Sequence, residues 1–258
     1  MTRLKLAAVA LALGLTAGAA SAEKVRIGMA PEPYPPFASV DASGNWTGWE
    51  IDLMWALCKS AELECEITPI AWDGLIPALE AGQIDAIMNS MSINEERQKV
   101  IDFSDKYYNT PTVIVAAKGA GITPDAAGLA GKILGVQVST IHQAYAEKHF
   151  AGSAAEIKAY QTQDEANQDL VAGRIDATQA DSIALDAFLG SAEGAACCEL
   201  MGAVADDPAV LGLGVGVGLR KGDEALKGKF NAAIAAVRAD GTYDKITANY
   251  FASSIYGD

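Results

Sequence analysis

Three places along the chain put donors, acceptors and charge where a small zwitterion could be held. Asn89-Ser90-Met91-Ser92 forms a polar loop behind an apolar run, and Glu95-Glu96-Arg97 follows on a short helical pattern. The planar guanidinium of Arg97 offers a fork of donors that fits a carboxylate bidentately, which a lysine cannot do. Ser139-Thr140 stands where the apolar run 133–138 turns into a helical pattern. A helix start presents unpaired N–H groups and a positive dipole to an anion. Asp181 follows another apolar run and has the charge to meet an ammonium. Arg97, Thr140 and Asp181 together would clamp both charged ends of an amino-acid backbone. Each also has a plainer use: Arg97 paired with Glu95 or Glu96 at the surface, Thr140 and Asp181 as caps of the helices they precede.

Flat rings are the third component. Tyr34 lies within Pro31-Glu-Pro-Tyr-Pro-Pro-Phe37, beside Glu32, and Trp72 precedes Asp73. Such rings can sandwich a ligand side chain and attract it through their faces if it is cationic. Trp46 and Trp49 are expected in the core, and His142 is expected to face solvent in the first turn of its helix. The two histidines are seven apart and the cysteine pairs lack zinc spacing, so no metal is expected. Phosphate-cradling glycine motifs are absent as well, and no cofactor is expected.

The elements that must position these residues alternate. Apolar strand-like runs at 25–30, 64–70, 84–88, 113–117, 133–138, 156–160, 175–178 and 211–219 are separated by helical patterns at 50–61, 74–81, 94–100, 141–150, 165–172, 182–189, 223–239 and 243–250. This is the signature of α/β layers with largely parallel sheets. The stretch Asp73–Ala86 recurs as Asp164–Ala177, with seven of fourteen positions identical and no gap. Each copy predicts an Asp N-cap, a two-turn helix, a glycine past its end (Gly82, Gly173) and a buried strand. The same unit thus occurs once in each half. In open α/β sheets ligands collect at the carboxyl ends of strands, and eight residues past the two glycines stand Ser90 and Asp181. Facing halves would aim these two residues into one cleft.

Residues 1–22 carry Arg3 and Lys5, the apolar run 6–15 and Ala20-Ser21-Ala22, the order of a cleavable secretory signal peptide. The remaining 236 residues hold 17 Lys and Arg against 33 Asp and Glu, a net charge of −16. Without clustered basic residues, nucleic-acid binding is excluded. Cys58 and Cys65, seven apart at a helix-to-strand junction in an exported chain, read as a disulfide contributing about 2.5 kcal/mol. Adjacent Cys197 and Cys198 can be bonded only in a tight geometry, and their state is open.

Val25-Arg-Ile-Gly28, Tyr34-Pro-Pro-Phe37, Gly48-Trp-Glu-Ile-Asp-Leu53, Trp72-Asp-Gly-Leu-Ile-Pro77, Ser90-Met-Ser-Ile93 with Arg97, Phe103-Ser-Asp105, Gly135-Val136, Gly214-Val-Gly-Val-Gly-Leu-Arg220 and Asp240-Gly-Thr-Tyr-Asp-Lys245 resemble the polar amino-acid periplasmic binding proteins of ABC transporters. The likeness spans residues 23–258 and is nearest to the lysine/arginine/ornithine and histidine binding proteins. It implies an α/β fold of the type II periplasmic-binding-protein kind, with two lobes, two crossovers and a ligand cleft between them. Lobe one would be 23–109 with 214–258, and lobe two 110–213. The resemblance also implies that Arg97 and the Thr140 backbone hold an α-carboxylate, and that Asp181 and the Ser90 carbonyl hold an α-amino group. Asn89 and Ser92 would stand nearby, and Tyr34 and Trp72 would flank the side chain. A monomer that passes its solute to an inner-membrane ABC permease in the periplasm is implied too.

Two departures bear on the ligand. Where basic-amino-acid members carry an acid after the first strand, this chain has Met29-Ala30-Pro31, with one extra residue before Phe37. Glu32 is the candidate substitute, and a polar or basic L-amino acid or close derivative is the expected solute. Ser139 also replaces the usual glycine before Thr140. The competing reading is an exported enzyme of this fold, such as a dehydratase of cyclic amino-acid precursors. Only Glu32 or His142 could then act as acid or base, and neither has a visible partner.

Overall fold

The apolar runs become strands because both faces of most of them are covered. The computed structural model describes residues 23–257, and the expected signal peptide lies outside the described residues. The first stretch contains β1 (Glu23–Met29), a small hairpin of β2 (Ser39–Val40) and β3 (Trp46–Thr47), α1 (Trp49–Ser60), β4 (Leu63–Pro69), α2 (Leu75–Glu80), β5 (Ala86–Ile87), α3 (Glu95–Gln98) and β6 (Ile101–Tyr108). The middle stretch contains β7 (Thr112–Ala117), β8 (Ile133–Gln137), α4 (Ile141–His149), β9 (Glu156–Tyr160), α5 (Gln163–Val171), β10 (Ala177–Asp181), α6 (Ser182–Gly190), α7 (Ala192–Cys197) and β11 (Cys198–Ala203). The chain closes with α8 (Pro208–Leu211), β12 (Val215–Arg220), α9 (Glu224–Ala239) and α10 (Thr242–Thr247).

Two five-stranded sheets result, ordered β4-β1-β5-β12-β6 and β9-β8-β10-β7-β11. In the first, β1 runs parallel to β4 and β5, while β12 is antiparallel to β5 and β6. In the second, β8 runs parallel to β9 and β10, while β7 is antiparallel to β10 and β11. The two orders correspond strand for strand. The antiparallel strand of each is the one the chain enters on arriving from the other sheet, through 109–111 or through 204–214.

This correspondence accounts for the sequence repeat. Asp85 accepts from the Arg26 N–H (3.0 Å) and Asp176 from the Ile133 N–H (2.8 Å), so each repeated aspartate ties its strand to the neighbouring β1 or β8. Ile84 and Ile175 fill the space over Gly28 and Gly135, where an added Cβ would come within 2.3 and 2.5 Å of the isoleucine tips. Gly82 and Gly173 have φ of 69° and 68°, the left-handed helix ending expected of them. The expected Asp caps are corrected: Asp73 sits in a 3₁₀ turn at Trp72–Gly74, and Thr162 caps α5 in a capping box with Glu165.

Strand β7 shows why both sheet faces are dry. Val113 and Val115 face one cluster with Leu170, Ile175 and Leu185, while Ile114 and Ala116 face another with Leu134, Val136 and Phe150. In the first sheet Leu75, Ile84 and Ile101 cover one face. An aromatic core covers the other: Phe37 stacks on Tyr108 at 4.8 Å, and Trp49 meets Tyr108 edge-on at 5.5 Å and Tyr243 at 5.7 Å. Trp49 is fully buried, and its indole donates to Thr247 Oγ1 (3.1 Å). Each such side chain contributes roughly 1.5–3 kcal/mol by burial.

Cys58 and Cys65 are bonded, with Cα atoms 6.1 Å apart, and join α1 to β4. Cys197 and Cys198 are also bonded to each other, at the junction of α7 and β11.

Candidate functional site

Ser90 follows β5 with φ 53°, a left-handed conformation that costs a side-chain-bearing residue about 1–2 kcal/mol. Its N–H and hydroxyl both donate to Glu50, at 2.7 and 3.0 Å, and Tyr107 also donates its hydroxyl to Glu50 Oε1. Glu50 is buried in the first turn of α1, and burial pushes its carboxyl above the usual range against the pull of these donors. With the other polar atoms of Ser90 turned inward, its carbonyl oxygen accepts no hydrogen bond among the described residues.

Arg97 is nine-tenths buried on α3. Nη1 donates to the Ser92 carbonyl (2.9 Å) and Nη2 to the Ser139 carbonyl (3.2 Å), while the guanidinium lies over the Trp72 ring at 5.4 Å. The surface pairing with Glu95 or Glu96 does not form, because Glu96 pairs with Lys99 and Arg97 has no acidic partner among the described residues. Burial lowers its pKa to about 10. An unpaired buried cation of this kind favours the arrival of an anion.

Thr140 caps α4: its hydroxyl accepts from the Gln143 N–H (3.1 Å) and donates to the Gln137 carbonyl (2.7 Å). Its own N–H has no partner among the described residues. The preceding Ser139 takes φ 60°, the conformation a glycine would take without cost, and its N–H donates to Gln143 Oε1 (2.7 Å). Asp181 caps α6 through the Ile183 N–H (2.9 Å) and accepts from the Thr110 hydroxyl at its other oxygen. Burial raises its pKa to about 6 in spite of these two donors.

These residues surround two adjoining cavities between the sheets. The first is lined by Glu32, Tyr34, Trp72, Asn89, Ser90, Ser92, Arg97 and Thr140. The second contains Asp181 with Thr110 and Thr112. Tyr34, Ser90, Ser92, Ile141 and His142 line both. Asn89 spends its side-chain oxygen on the Ala30 N–H (2.8 Å), holding the first loop over the site. Glu32 Oε2 is buried without a hydrogen-bond partner among the described residues. Trp72 does more than flank the cavity, since its indole N–H donates to the Val138 carbonyl (3.0 Å) across the cleft.

His142 is a correction. It is buried, not solvent-facing, with Nδ1 3.1 Å from the Thr112 hydroxyl. Burial, aided by the Arg97 charge, lowers its pKa to about 3. Thr110, Gln137, Thr162, Gln163 and the buried Glu50 were not singled out from sequence. Glu50 stands in an apolar helical stretch, where one buried acid has no distinguishing neighbour in sequence. Gln163 had a usable signal in its place beside the Thr162 cap, at the mouth of the second repeat.

The family model of bacterial extracellular solute-binding proteins, family 3, matches residues 25–253. The L-arginine-binding protein of Pseudomonas aeruginosa is 42% identical over 239 residues, 92% of this chain and 92% of its own length. The lysine/arginine/ornithine-binding periplasmic protein of Escherichia coli is 40% identical over 256 residues, 97% of this chain and 98% of its own. A solved structure described as an ancestral arginine-binding protein bound to arginine aligns with a TM-score of 0.80 at 33% identity, over 88% of this chain and 98% of that one. The two sheets with a cleft between them are the type II periplasmic-binding-protein fold. The chain belongs to the bacterial extracellular solute-binding proteins, family 3, and is a binding protein, not an enzyme.

Proposed function

We propose that this chain captures an L-amino acid with a cationic side chain between two closing lobes and delivers it to an inner-membrane ABC permease. The observation that carries the reading is Arg97: a buried guanidinium with no acidic partner among the described residues, lining the same cavity as Thr140, whose N–H at the start of α4 has no partner among them. That pair accepts an α-carboxylate. The Ser90 carbonyl and Asp181 accept the α-ammonium, with Ser92 beside them. Tyr34 and Trp72 flank the side chain, and the unpartnered Glu32 oxygen meets its distal charge. The two relatives named for binding arginine, or lysine, arginine and ornithine, support the same ligand class.

The lobes are 23–109 with 214–258, and 110–213, hinged at the two crossovers. Ligand favours the closed arrangement by contacting both lobes, and the permease distinguishes closed from open. The protein works as a monomer in the periplasm, after removal of residues 1–22. A thermal-shift screen of the twenty amino acids plus ornithine and citrulline tests the ligand class. A ligand at 100 times its Kd adds about 2.7 kcal/mol to stability. Stabilisation by arginine, lysine, ornithine or histidine is expected, and stabilisation only by acidic or aliphatic amino acids would refute the cationic assignment.

A further inference from the structure

Val138 and Ser139 contribute two successive carbonyls at the tip of the β8–α4 loop, and each is taken by a side chain from the opposite sheet. Trp72 Nε1 donates to the Val138 carbonyl (3.0 Å), and Arg97 Nη2 donates to the Ser139 carbonyl (3.2 Å). Among the described residues, two further hydrogen bonds join the lobes, from Asn94 Nδ2 to the Val210 carbonyl (3.2 Å) and from the Leu213 N–H to the Ile93 carbonyl (3.2 Å), but both lie at the 204–214 crossover, away from the β8–α4 loop. Trp72 and Arg97 are themselves joined, because the guanidinium lies over the indole at 5.4 Å. Arg97 divides its five N–H groups between the Ser92 and Ser139 carbonyls and the proposed carboxylate, so it serves closure and ligand together. The indole N–H is a single donor, and the carbonyl it meets belongs to the protein.

We infer that Trp72 is the closure latch of this protein, a positioning residue that fastens the β8–α4 loop to the opposite lobe and thereby sets Thr140 on the cavity it shares with Arg97. The inference rests on the proposed carboxylate site for its consequence in binding, while the latch itself rests on the two lobe-to-lobe hydrogen bonds of this loop. Within its own lobe the 138–140 loop is held by the Val138 N–H to the Tyr160 carbonyl (2.8 Å) and the Thr140 hydroxyl to the Gln137 carbonyl (2.7 Å), while the Val138 and Ser139 carbonyls are held from the opposite lobe. Ser139 is left-handed, and its N–H is tied only to Gln143 within the same lobe. A flat ring without the N–H would still support Arg97 from below, yet would leave the Val138 carbonyl unpaired at the lobe boundary.

Trp72→Phe separates the two roles, because it keeps the stacking surface and removes the donor. In the ligand-free full chain, small-angle X-ray scattering reads the balance of closed and open forms. The latch predicts a ratio of closed to open about fivefold lower in the variant, the equivalent of one net neutral hydrogen bond, and a larger mean radius of gyration. An unchanged radius overturns the latch, and this readout stands whether or not any amino acid binds. Stopped-flow measurements with the amino acid of strongest thermal shift should show dissociation about fivefold faster, the larger share of the affinity loss falling on dissociation rather than association. A variant that loses thermal stability while keeping its dissociation rate would assign Trp72 a purely structural role. Failure of every amino acid to bind, with the scattering change present, would overturn the proposed ligand and leave the latch standing.

Discussion

Replacing Arg97 by methionine should separate folding from binding. Methionine keeps the apolar stem of the side chain and removes the charge together with the donors to Ser92 and Ser139. In the ligand-free protein two effects oppose each other. Two charge-assisted hydrogen bonds and the stack on Trp72 are lost, but so is the cost of burying a cation that no acid neutralises. The net change in unfolding free energy should stay within about 1 kcal/mol. In the liganded protein the carboxylate loses both of its bidentate bonds. At about 1.5–3 kcal/mol for each charged hydrogen bond, binding should weaken by about 3–6 kcal/mol, or roughly 150- to 20,000-fold. Isothermal titration calorimetry of wild type and variant, paired with urea unfolding of both, reads the two quantities independently. A change in affinity below threefold would refute the carboxylate assignment. A loss of more than 3 kcal/mol of stability would make Arg97 a structural residue instead.

Asp181 holds its proton to about pH 6 in the fold, against an ordinary value of 3.8, so the folded chain binds that proton more tightly than the unfolded chain. Its contribution to stability should therefore fall as pH rises from about 4 to 6, by on the order of 2 kcal/mol. Affinity for an ammonium-bearing ligand should instead fall as pH drops below 6, and that affinity slope should disappear in Asp181→Asn, while the stability slope should shrink to the part left by the buried Glu50, whose carboxyl is also raised. His142, already neutral above about pH 3, cannot supply the affinity transition, so an affinity slope surviving in the variant would refute the assignment. Glu32→Gln should weaken arginine or ornithine binding at least tenfold in calorimetry and leave neutral amino acids within twofold; equal losses for both would remove Glu32 from the distal site. Gly28→Ala forces a Cβ to within 2.3 Å of Ile84 Cδ1 and 3.1 Å of Leu75 Cδ2. It should cost about 1–3 kcal/mol in urea unfolding, partly restored by Ile84→Val, and no loss would contradict the packing described for the repeated unit.

The repeat carried most of what was legible about the fold. Its Ile-Asp-Ala core encodes the same three contacts in each sheet: isoleucine over glycine, aspartate to a strand N–H, and a buried alanine. Strand β6 was missed because bulges against β12 break its alternation, leaving Ser104 buried where a period of two predicts an exposed residue. Strand β11 was missed because it is an edge with its own bulge, joined to α7 without a linker. The expected strand at 211–219 began too early, since Leu211 ends α8 and Gly212 and Gly214 turn the chain tightly past Ile93 and Tyr108. For the site, Arg97, Thr140 and Asp181 were readable from charge and from their places at element ends. The supports were not: Glu50 beneath Ser90, and the reach of Trp72 to Val138, depend on contacts between residues 40 and 66 positions apart.

The most direct test of amino-acid capture uses protein unfolded, dialysed free of bound solute and refolded, then titrated calorimetrically with L-arginine and with agmatine, which is arginine without its α-carboxylate. The Arg97–Thr140 clamp predicts saturable one-to-one binding of arginine and a loss of at least 100-fold for agmatine. Equal affinity for the two, or no heat from arginine, lysine, ornithine or histidine, would contradict the proposed site.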